Sequence, residues 1–249
     1  MDFGEHGTMS GPGCVLLDFD NTLYDYEPCH AAGRKAAGDT AHELLNFDPA
    51  SFTTFYEKAR AEVKARLGAG AASHNRLLYF KAMLELSGLS SQPLAALQLE
   101  QAYWSAYLDT ARLHTDVLAF LDDLRIAGIP VAIVTDLTAN IQLRKLIVLG
   151  LDKLIDCIVT SEESGHDKPH AASFHLAMDR LGLAHDTPTW MIGDSIKLDL
   201  AGAKQCLKCT TFLKLVADAA PPSNEHVDHA FSDFSEMRAL LQKVLAAAG

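Results

Sequence analysis

Two aspartates separated by one residue, Asp18 and Asp20, follow a short apolar segment and could act together on one ligand. The segment Cys14–Leu17 is typical of a buried strand, and side chains at i and i+2 of an extended chain point the same way, about 6.6–7 Å apart. One phosphoryl group or one metal ion fits between two such carboxylates. Because the two anions repel each other, they need a cation or a proton. The pair indicates phosphoryl or metal chemistry, although Asp-Asn is also ordinary in turns.

Three later segments supply groups that such a pair would need. In chain order they are Thr135-Asp136, Asp167-Lys168-Pro169, and Gly193-Asp194-Ser195 with Asp199 following. The first and third come directly after apolar runs that predict strands, and the second presents a single cation beside a rigid proline. Each segment alone is unremarkable, since most Lys-Pro pairs lie in solvated loops. Their order along one chain is much harder to obtain by chance.

The spacing of apolar residues predicts an α/β fold. From residue 115 onward, short apolar strands alternate with helices, a pattern that indicates a parallel sheet covered on both faces. The predicted strands are 131–135, 157–160, 189–192 and 210–213, and the helices are 116–127, 139–149, 171–181, 197–205 and 235–245. Ligands of such sheets bind beyond the carboxyl ends of the strands. The polar segments described above follow strands at that edge.

A helical block interrupts the sheet after its first strand. Glycine, proline and asparagine separate its four predicted helices, which are 27–45, 49–67, 75–87 and 93–111. We therefore expect a Rossmann-like parallel sheet with an inserted all-helical cap. Residues 1–23 and 112–249 would form the core domain, and residues 24–111 would form the cap domain above the site. A cap of this kind suits a small-molecule substrate better than a folded protein.

Bulk composition limits the class of partner. The 249 residues carry 21 basic and 32 acidic side chains, a net charge of −11. This acidity disfavours nucleic acid and anionic membranes as partners, and no apolar stretch approaches the ~18–20 residues of a membrane span. Residues 1–13 lack the features of a secretory signal and are expected to form a short leader. These properties are typical of a cytoplasmic enzyme.

The five cysteines do not suggest a disulfide framework. Cys206 and Cys209 have the spacing of a redox or metal clip, but no second Cys/His pair accompanies them. We expect them to be structural thiols.

The four polar segments together resemble the motifs of the haloacid dehalogenase superfamily, in its phosphatase branch with a helical C1-type cap. They match that family in order and spacing from Asp18 to Asp199. The segments 21–26 and 161–165 also resemble the capped subgroup that includes nucleotidases, phosphoglycolate phosphatases and acylneuraminate phosphatases. The resemblance implies a Mg²⁺-dependent phosphatase that acts on a small phosphorylated metabolite, such as a nucleotide, a sugar phosphate or an organic-acid phosphate.

Asp18 and Asp20 in the first of the four segments, and Asp194 in the last, have expected roles in the reaction. Asp18 is the expected nucleophile, which would form an aspartyl-phosphate. Asp20 would protonate the leaving oxygen and then accept a proton from water, a task for which we expect a raised pKa. Mg²⁺ prefers hard oxygen ligands, and the carboxylates of Asp18 and Asp194 would supply two. By family resemblance, the backbone carbonyl of Asp20 would supply the third.

The remaining motif residues are expected to bind the phosphoryl group or to support the site. Thr135, Asp136 and Lys168 are the expected phosphate-binding residues, with a hydroxyl and an ammonium for the phosphoryl oxygens. Asp199 would hold the metal site or the lysine in place from behind.

Asp20 also separates this chain from other activities of the family. Members that cleave carbon–halogen bonds lack the second aspartate of the pair, and members that cleave carbon–phosphorus bonds usually replace it with a small residue. A phosphomutase of the same fold stays open as an alternative, because it shares both aspartates. A non-catalytic phosphate-binding protein also stays open, since fold does not fix function.

Substrate-contacting residues are expected on the cap and just after motif one. The candidates are Tyr24, Tyr26, Arg34 and Arg76. Arg76 begins a predicted cap helix, and its guanidinium could bind a substrate anion through two hydrogen bonds.

Overall fold

The computed structural model describes residues 11–216 and 219–248. One parallel sheet of six strands runs through this part of the chain, in the order β3-β2-β1-β4-β5-β6. The strands are β1 (Cys14–Leu17), β2 (Val131–Thr135), β3 (Cys157–Thr160), β4 (Thr189–Gly193), β5 (Cys209–Lys214) and β6 (His229–Phe231). Because β1 lies between β2 and β4, the chain segments that follow these three strands emerge side by side at one edge of the sheet.

The helices fall into two groups. Those inserted between β1 and β2 are α1 (Tyr26–Leu45), α2 (Pro49–Leu67), the 3-10 turn Ala71–His74, α3 (Arg76–Leu86) and α4 (Pro93–Thr110). Those that follow are α5 (Val117–Ile126), α6 (Ala139–Val148), α7 (Ser161–Ser164), α8 (Ala171–Arg180), the π-helical turn Ile196–Leu200, α9 (Ala201–Cys206) and α10 (Phe234–Ala248). The predicted α/β fold with an inserted helical cap is therefore confirmed.

The central strand is apolar on both faces because helices cover both. Alternate residues of β1 point to opposite sides of the sheet. Leu16 packs in a core cluster with Phe174 of α8, whereas Leu17 packs in the cluster that contains Phe120 of α5. This two-sided burial explains why the strand reads as a continuous apolar run.

Buried aromatic rings hold the cap helices together. Tyr56, Tyr79, Phe80 and Tyr103 are each almost completely buried. The ring centroid of Tyr56 lies 6.1 Å from that of Tyr79 and 5.6 Å from that of Phe80, and Phe80 lies 6.1 Å from Tyr103. Pairs of aromatic rings at such distances contribute beyond the apolar area they bury. The cap therefore has a core of its own, which extends to Tyr107 at the end of α4 next to the sheet.

Three short elements differ from the expected ones. The sheet has a sixth strand, β6, whose three residues are too few to show a period, and α7 is a four-residue helix after β3. The helix predicted over 197–205 begins instead as a π-helical turn and becomes α9. The domain limits 1–23, 24–111 and 112–249 stay predictions.

The expected leader lies mostly outside the described residues, which begin at residue 11. Among the helices of the described ranges, none combines the length and the apolar character needed to cross a membrane.

Candidate active site

Polar residues from three strands meet at the carboxyl edge of the sheet. Asp18 follows β1, Thr135 is the last residue of β2, and Asp194 follows β4. They line a cavity of about 390 Å³ together with Asp20 and Lys168. The structure thus brings the four predicted motifs to one place.

Lys168 is a buried cation in the lining of this cavity. Its Nζ lies 2.6 Å from Asp18 Oδ1 and 2.8 Å from Asp199 Oδ1, and it donates a hydrogen bond to the carbonyl of Val134 at 2.9 Å. Burial alone would lower the pKa of Lys168, but Asp18 and Asp199 raise it well above its ordinary value. The ammonium therefore stays charged and fixed beside the Asp18 carboxylate.

Asp18 and Asp194 oppose each other electrostatically. Burial is the main cause that raises the pKa of each carboxyl to about 6, and the charge of Asp18 is the next cause for Asp194. For Asp18, the charge of Asp199 adds to the increase, while Lys168 and a 2.6 Å hydrogen bond from Thr22 Oγ1 reduce it. One lysine does not balance this group of carboxylates, so the site favours a further cation or a proton.

The carboxylates could supply that cation's ligands. One oxygen each of Asp18, Asp194 and Asp199 lies within 4.8 Å of the others. An all-oxygen set of this kind suits a hard divalent ion. Asp199, however, already pairs with Lys168 and accepts a hydrogen bond from the backbone N–H of Ser195 at 2.9 Å. The expectation that Asp199 supports the site from behind is consistent with these contacts.

Gly193 explains how Asp199 can lie so close to β4. A Cβ atom at position 193 would lie 2.5 Å from Oδ2 of Asp199. Real Cβ atoms do not approach an oxygen so closely, so any side chain here would displace the aspartate. Packing against Asp199 therefore requires a glycine at position 193, immediately before Asp194.

Asp20 has a partner that the sequence analysis missed. Nζ of Lys145, on α6, lies 2.8 and 3.0 Å from the two carboxylate oxygens, and Tyr24 donates its hydroxyl to Asp20 as well. Burial alone would raise the pKa of Asp20, but Lys145 lowers it below its ordinary value. The raised pKa expected for Asp20 is therefore wrong in this structure, because a buried cation lies against it.

Lys145 itself is completely buried, and burial lowers its pKa despite the pair with Asp20. Its Nζ lies 5.1–5.9 Å from the ring centroids of Tyr24, Trp104 and Tyr107, two of which belong to α4 of the cap. In the sequence, Gln142 and Lys145 stand three residues apart on one face of a helix that follows a motif strand. This three-residue spacing is the feature of the sequence that could have predicted a polar face of α6 directed toward the site.

The end of β2 is ordered by hydrogen bonds around Thr135. Its Oγ1 accepts a hydrogen bond from Gln142 Nε2 at 2.7 Å and donates one to the carbonyl of Asp136 at 3.3 Å. The Asp136 carboxylate accepts a hydrogen bond from the backbone N–H of Lys168 at 2.9 Å. This hydrogen bond orders the loop that carries Lys168 and occupies the Asp136 carboxylate. Asp136 would therefore contact a phosphoryl oxygen through its backbone N–H.

The four candidate substrate residues occupy different places. Tyr26 and Arg76 line the cavity, as does His74, which the sequence analysis did not single out. Tyr24 is completely buried between Asp20 and Tyr107. Arg34 pairs with a glutamate of α2 at 2.9 Å and lines a separate groove on the cap. The structure therefore brings only two of the four into the cavity.

The two clip-spaced thiols are not joined. Cys206 and Cys209 are both free, and burial raises their pKa values to about 11 and about 12. Such thiols are protonated at neutral pH and unreactive.

Sequence comparison places this site among known hydrolases. The sequence model of the haloacid dehalogenase-like hydrolase family matches residues 12–206 of this chain. The ribulose-1,5-bisphosphate 5-phosphatase of Halopiger xanaduensis is 47% identical over 190 residues, which cover 76% of this chain and 79% of that protein. The glyceraldehyde 3-phosphate phosphatase of Methanocaldococcus jannaschii is 23% identical over 224 residues, or 90% and 94% of the two chains.

Solved structures share the fold at lower identity. A haloacid dehalogenase-type phosphatase from Thermococcus onnurineus superposes with a TM-score of 0.69 at 22% identity, covering 94% of this chain and 98% of its own. A 2-haloacid dehalogenase from Pseudomonas syringae reaches 0.73 at 20% identity, with 94% and 99% covered. The four motifs, the fold and the match over 12–206 lead to one conclusion: the chain belongs to the haloacid dehalogenase-like hydrolases.

Proposed function

We propose that this enzyme hydrolyses the phosphate monoester of a small phosphorylated metabolite through an aspartyl-phosphate on Asp18. The observation that carries the proposal is the buried contact of the Asp18 carboxylate with Lys168, in a cavity that also holds Asp20 and Asp194. A phosphatase was expected from the resemblance of the four motifs to the haloacid dehalogenase superfamily, and the phosphatase relatives confirm that class of enzyme. Sugar bisphosphates and triose phosphates, named for those relatives, are the first substrates to test.

Asp18 attacks phosphorus, and the bond from phosphorus to the ester oxygen breaks. Its Oδ1 is tied to Lys168 and its Oδ2 to Thr22, so the carboxylate is held in one orientation. Lys168 and the Thr135 hydroxyl stabilise the charge that develops on the phosphoryl oxygens. Water then attacks the aspartyl-phosphate, which releases inorganic phosphate and restores Asp18.

Asp20 handles the protons of both steps. Lys145 keeps Asp20 ionised in the free site, so Asp20 takes up a proton from solvent when the anionic ester binds. It gives this proton to the departing alkoxide and later removes one from the attacking water. Lys145 is the positioning residue, because it holds both carboxylate oxygens at 2.8 and 3.0 Å. Rings of the cap surround Lys145, so the cap contacts the lysine that positions Asp20. We propose that the cap spans residues 24–111.

Mg²⁺ is the cofactor we propose, on the chemistry of the donors. Asp18 and Asp194 would hold it with their carboxylates, and Asp20 with its backbone carbonyl. The ion would neutralise carboxylate and phosphoryl charge, which Lys168 alone does not balance.

Phosphate release from a panel of esters tests the proposal. The panel contains ribulose 1,5-bisphosphate, glyceraldehyde 3-phosphate, phosphoglycolate, a nucleotide and 4-nitrophenyl phosphate, each with Mg²⁺ and with EDTA. We expect Mg²⁺-dependent release from at least one metabolite and none with EDTA. Undiminished turnover in EDTA would refute the metal assignment. Transfer of phosphate within a sugar without its release would favour the phosphomutase alternative, and binding without turnover would favour a phosphate-binding protein.

The Lys145→Met variant tests the positioning of Asp20. An alkyl phosphate needs a proton donor for its leaving oxygen, whereas 4-nitrophenolate leaves without one. We expect kcat for an alkyl phosphate to fall about 10- to 100-fold, which reaches only the lower limit of the 10²–10⁴-fold typical of general acid–base catalysis because Asp20 itself is kept. The loss for 4-nitrophenyl phosphate should be much smaller. Lys153→Met, at an exposed lysine, is the matched control. An equal loss on both esters would show that Lys145 is only structural.

A further inference from the structure

Arg76 is a buried cation without a counter-ion. It begins α3, and only 6% of its surface is exposed. Its guanidinium carbon lies 5.4–5.5 Å from the ring centroids of Tyr79, Tyr103 and Trp104. Among the residues that the structure describes, no carboxylate lies within ion-pair distance of it. Burial of a charge without a charged partner is costly, so this position favours an anion from outside the chain.

The hydrogen bonds of Arg76 leave two donors free. Nε donates to the Tyr103 hydroxyl at 3.3 Å, Nη1 to the carbonyl of His74 at 2.5 Å, and Nη2 to the Tyr26 hydroxyl at 2.7 Å. A guanidinium has five N–H bonds, so one N–H on each terminal nitrogen has no protein acceptor in these contacts. Each of these N–H groups can donate a charge-assisted hydrogen bond to an oxygen of a phosphate or carboxylate.

Two further arginines, Arg34 and Arg60, act on the same buried imidazole as Arg76, and both pair with Glu57. Burial, Arg76 and Arg34 together lower the pKa of His30 to about 4, so that imidazole is neutral. Burial, Arg60 and Arg76 likewise lower the pKa of Lys64. Burial raises the pKa of Tyr79 and Tyr103, which contact the guanidinium, so both are neutral. The carboxylates near this end, Glu57 and Asp167, pair with Arg34, Arg60 and His74 rather than with Arg76.

Arg76 is also separate from the group that would hold the reacting phosphate. It makes no hydrogen bond or ion pair with Asp18, Asp20 or Asp194, although it lines the same cavity. Tyr26 and His74 line the cavity beside it, and His74 is tied to Asp167 at 3.3 Å, next to Lys168. One cavity therefore has two cationic positions, Lys168 at the nucleophile and Arg76 on the cap.

We propose that Arg76, flanked by Tyr26 and His74, binds a second anionic group of the substrate. The substrates are then phosphate monoesters that also carry a further phosphate or a carboxylate. This inference rests on the proposed phosphatase function and narrows its substrate class. The transferred phosphate binds at Lys168, and the second anion accepts hydrogen bonds from the two free N–H groups of Arg76.

Matched substrates and an Arg76→Gln variant test the inference. The pairs are ribulose 1,5-bisphosphate against ribulose 5-phosphate, for a second phosphate, and 3-phosphoglycerate against glycerol 3-phosphate, for a carboxylate. The wild type should prefer the doubly anionic member of at least one pair, and the pair that shows the preference identifies the anion. Arg76→Gln should lower the ratio of kcat/KM between the doubly and singly anionic esters by about 10- to 100-fold, as expected for charged hydrogen bonds. The loss should lie in kcat/KM of the doubly anionic ester alone.

The controls separate the possible failures. Arg66→Gln, at an exposed arginine of α2, should leave the preference unchanged. If Arg76→Gln does not fold, Arg76→Lys keeps a charge without the paired N–H groups and should still reduce the preference several-fold. Equal rates within each pair in the wild type would overturn the inference, as would an equal loss on both members in the variants. An absence of phosphate release from every ester would instead refute the phosphatase function itself.

Discussion

The Asp18→Asn variant will lose phosphatase activity while it keeps its fold. An amide cannot form the bond to phosphorus that the carboxylate forms, so no aspartyl-phosphate can accumulate. We expect a loss of about 10⁴-fold or more in kcat, as is usual when a nucleophile is removed. The measurement is phosphate release on the best substrate of the panel. Asp152→Asn, at an exposed loop aspartate, is the matched control and should retain full activity.

The same substitution should not destabilise the protein in metal-free buffer at neutral pH. The pKa of Asp18 is about 6 in the folded protein, above its ordinary value of 3.8, mainly because the group is buried. The folded state therefore binds the proton more tightly, and the stability this supplies is present below about pH 4 and lost as the pH rises toward about 6. At pH 7 the ionised carboxylate is a net cost that asparagine avoids.

Thermal unfolding between pH 4 and pH 8 measures this effect. The wild type should lose stability across the window from about pH 4 to pH 6, and the variant should lose less. An inactive variant with a much lower unfolding midpoint would show that misfolding, rather than a missing nucleophile, causes the loss. Activity retained by a folded variant would contradict the role of Asp18.

The Lys168→Ala variant should lose both activity and stability. Its ammonium contacts Asp18 and Asp199 at 2.6 and 2.8 Å in a site where both carboxylates are buried. Without it, the developing charge on the phosphoryl group loses a fixed cation, which should lower kcat about 10²–10³-fold. Two buried carboxylates would also lose their partner, which should cost about 3–5 kcal/mol of unfolding free energy.

Steady-state kinetics and chemical denaturation check the two parts of this prediction. Lys208→Ala, at an exposed lysine just before β5, removes the same charge from the opposite edge of the sheet and should change neither quantity. Unchanged kcat in Lys168→Ala would contradict its role in binding the phosphoryl group. Added Mg²⁺ should recover part of the lost stability, because it supplies charge to the same carboxylates.

The motif residues could be placed from sequence because strand ends determine their positions. Asp18, Thr135 and Asp194 each end or follow an apolar run, and parallel strands bring those ends to one edge. The four cap helices likewise follow from clear breaks at glycine, proline and asparagine. The observed α2 begins at Pro49 and ends at Leu67, as predicted.

The partners of the motif residues could not be placed in the same way. Lys145 lies 125 residues after Asp20, and nothing in its local sequence identifies the carboxylate it meets. Lys145 is the main group that lowers the pKa of Asp20, ahead of hydrogen bonds from Tyr24 and Gln142, so the expected direction was wrong. Tyr24 and Arg34 show the same limit. Tyr24 lies before α1 and is buried against Asp20, whereas Arg34 lies on α1 and pairs with a glutamate of α2, and the local sequence indicates neither partner.

The most direct measurement of the central claim is chemical trapping of the phosphoryl group on Asp18. The Asp20→Asn variant is mixed with 4-nitrophenyl phosphate and Mg²⁺, quenched with acid and analysed by peptide mass spectrometry. Nitrophenolate leaves without a proton donor, whereas water attack still needs the base that Asp20 provided, so the intermediate should accumulate. We predict a phosphoryl group on Asp18, absent when Asp18→Asn is added to the variant. Release of nitrophenol with no phosphoryl group on Asp18 at any time point would contradict covalent catalysis by this residue.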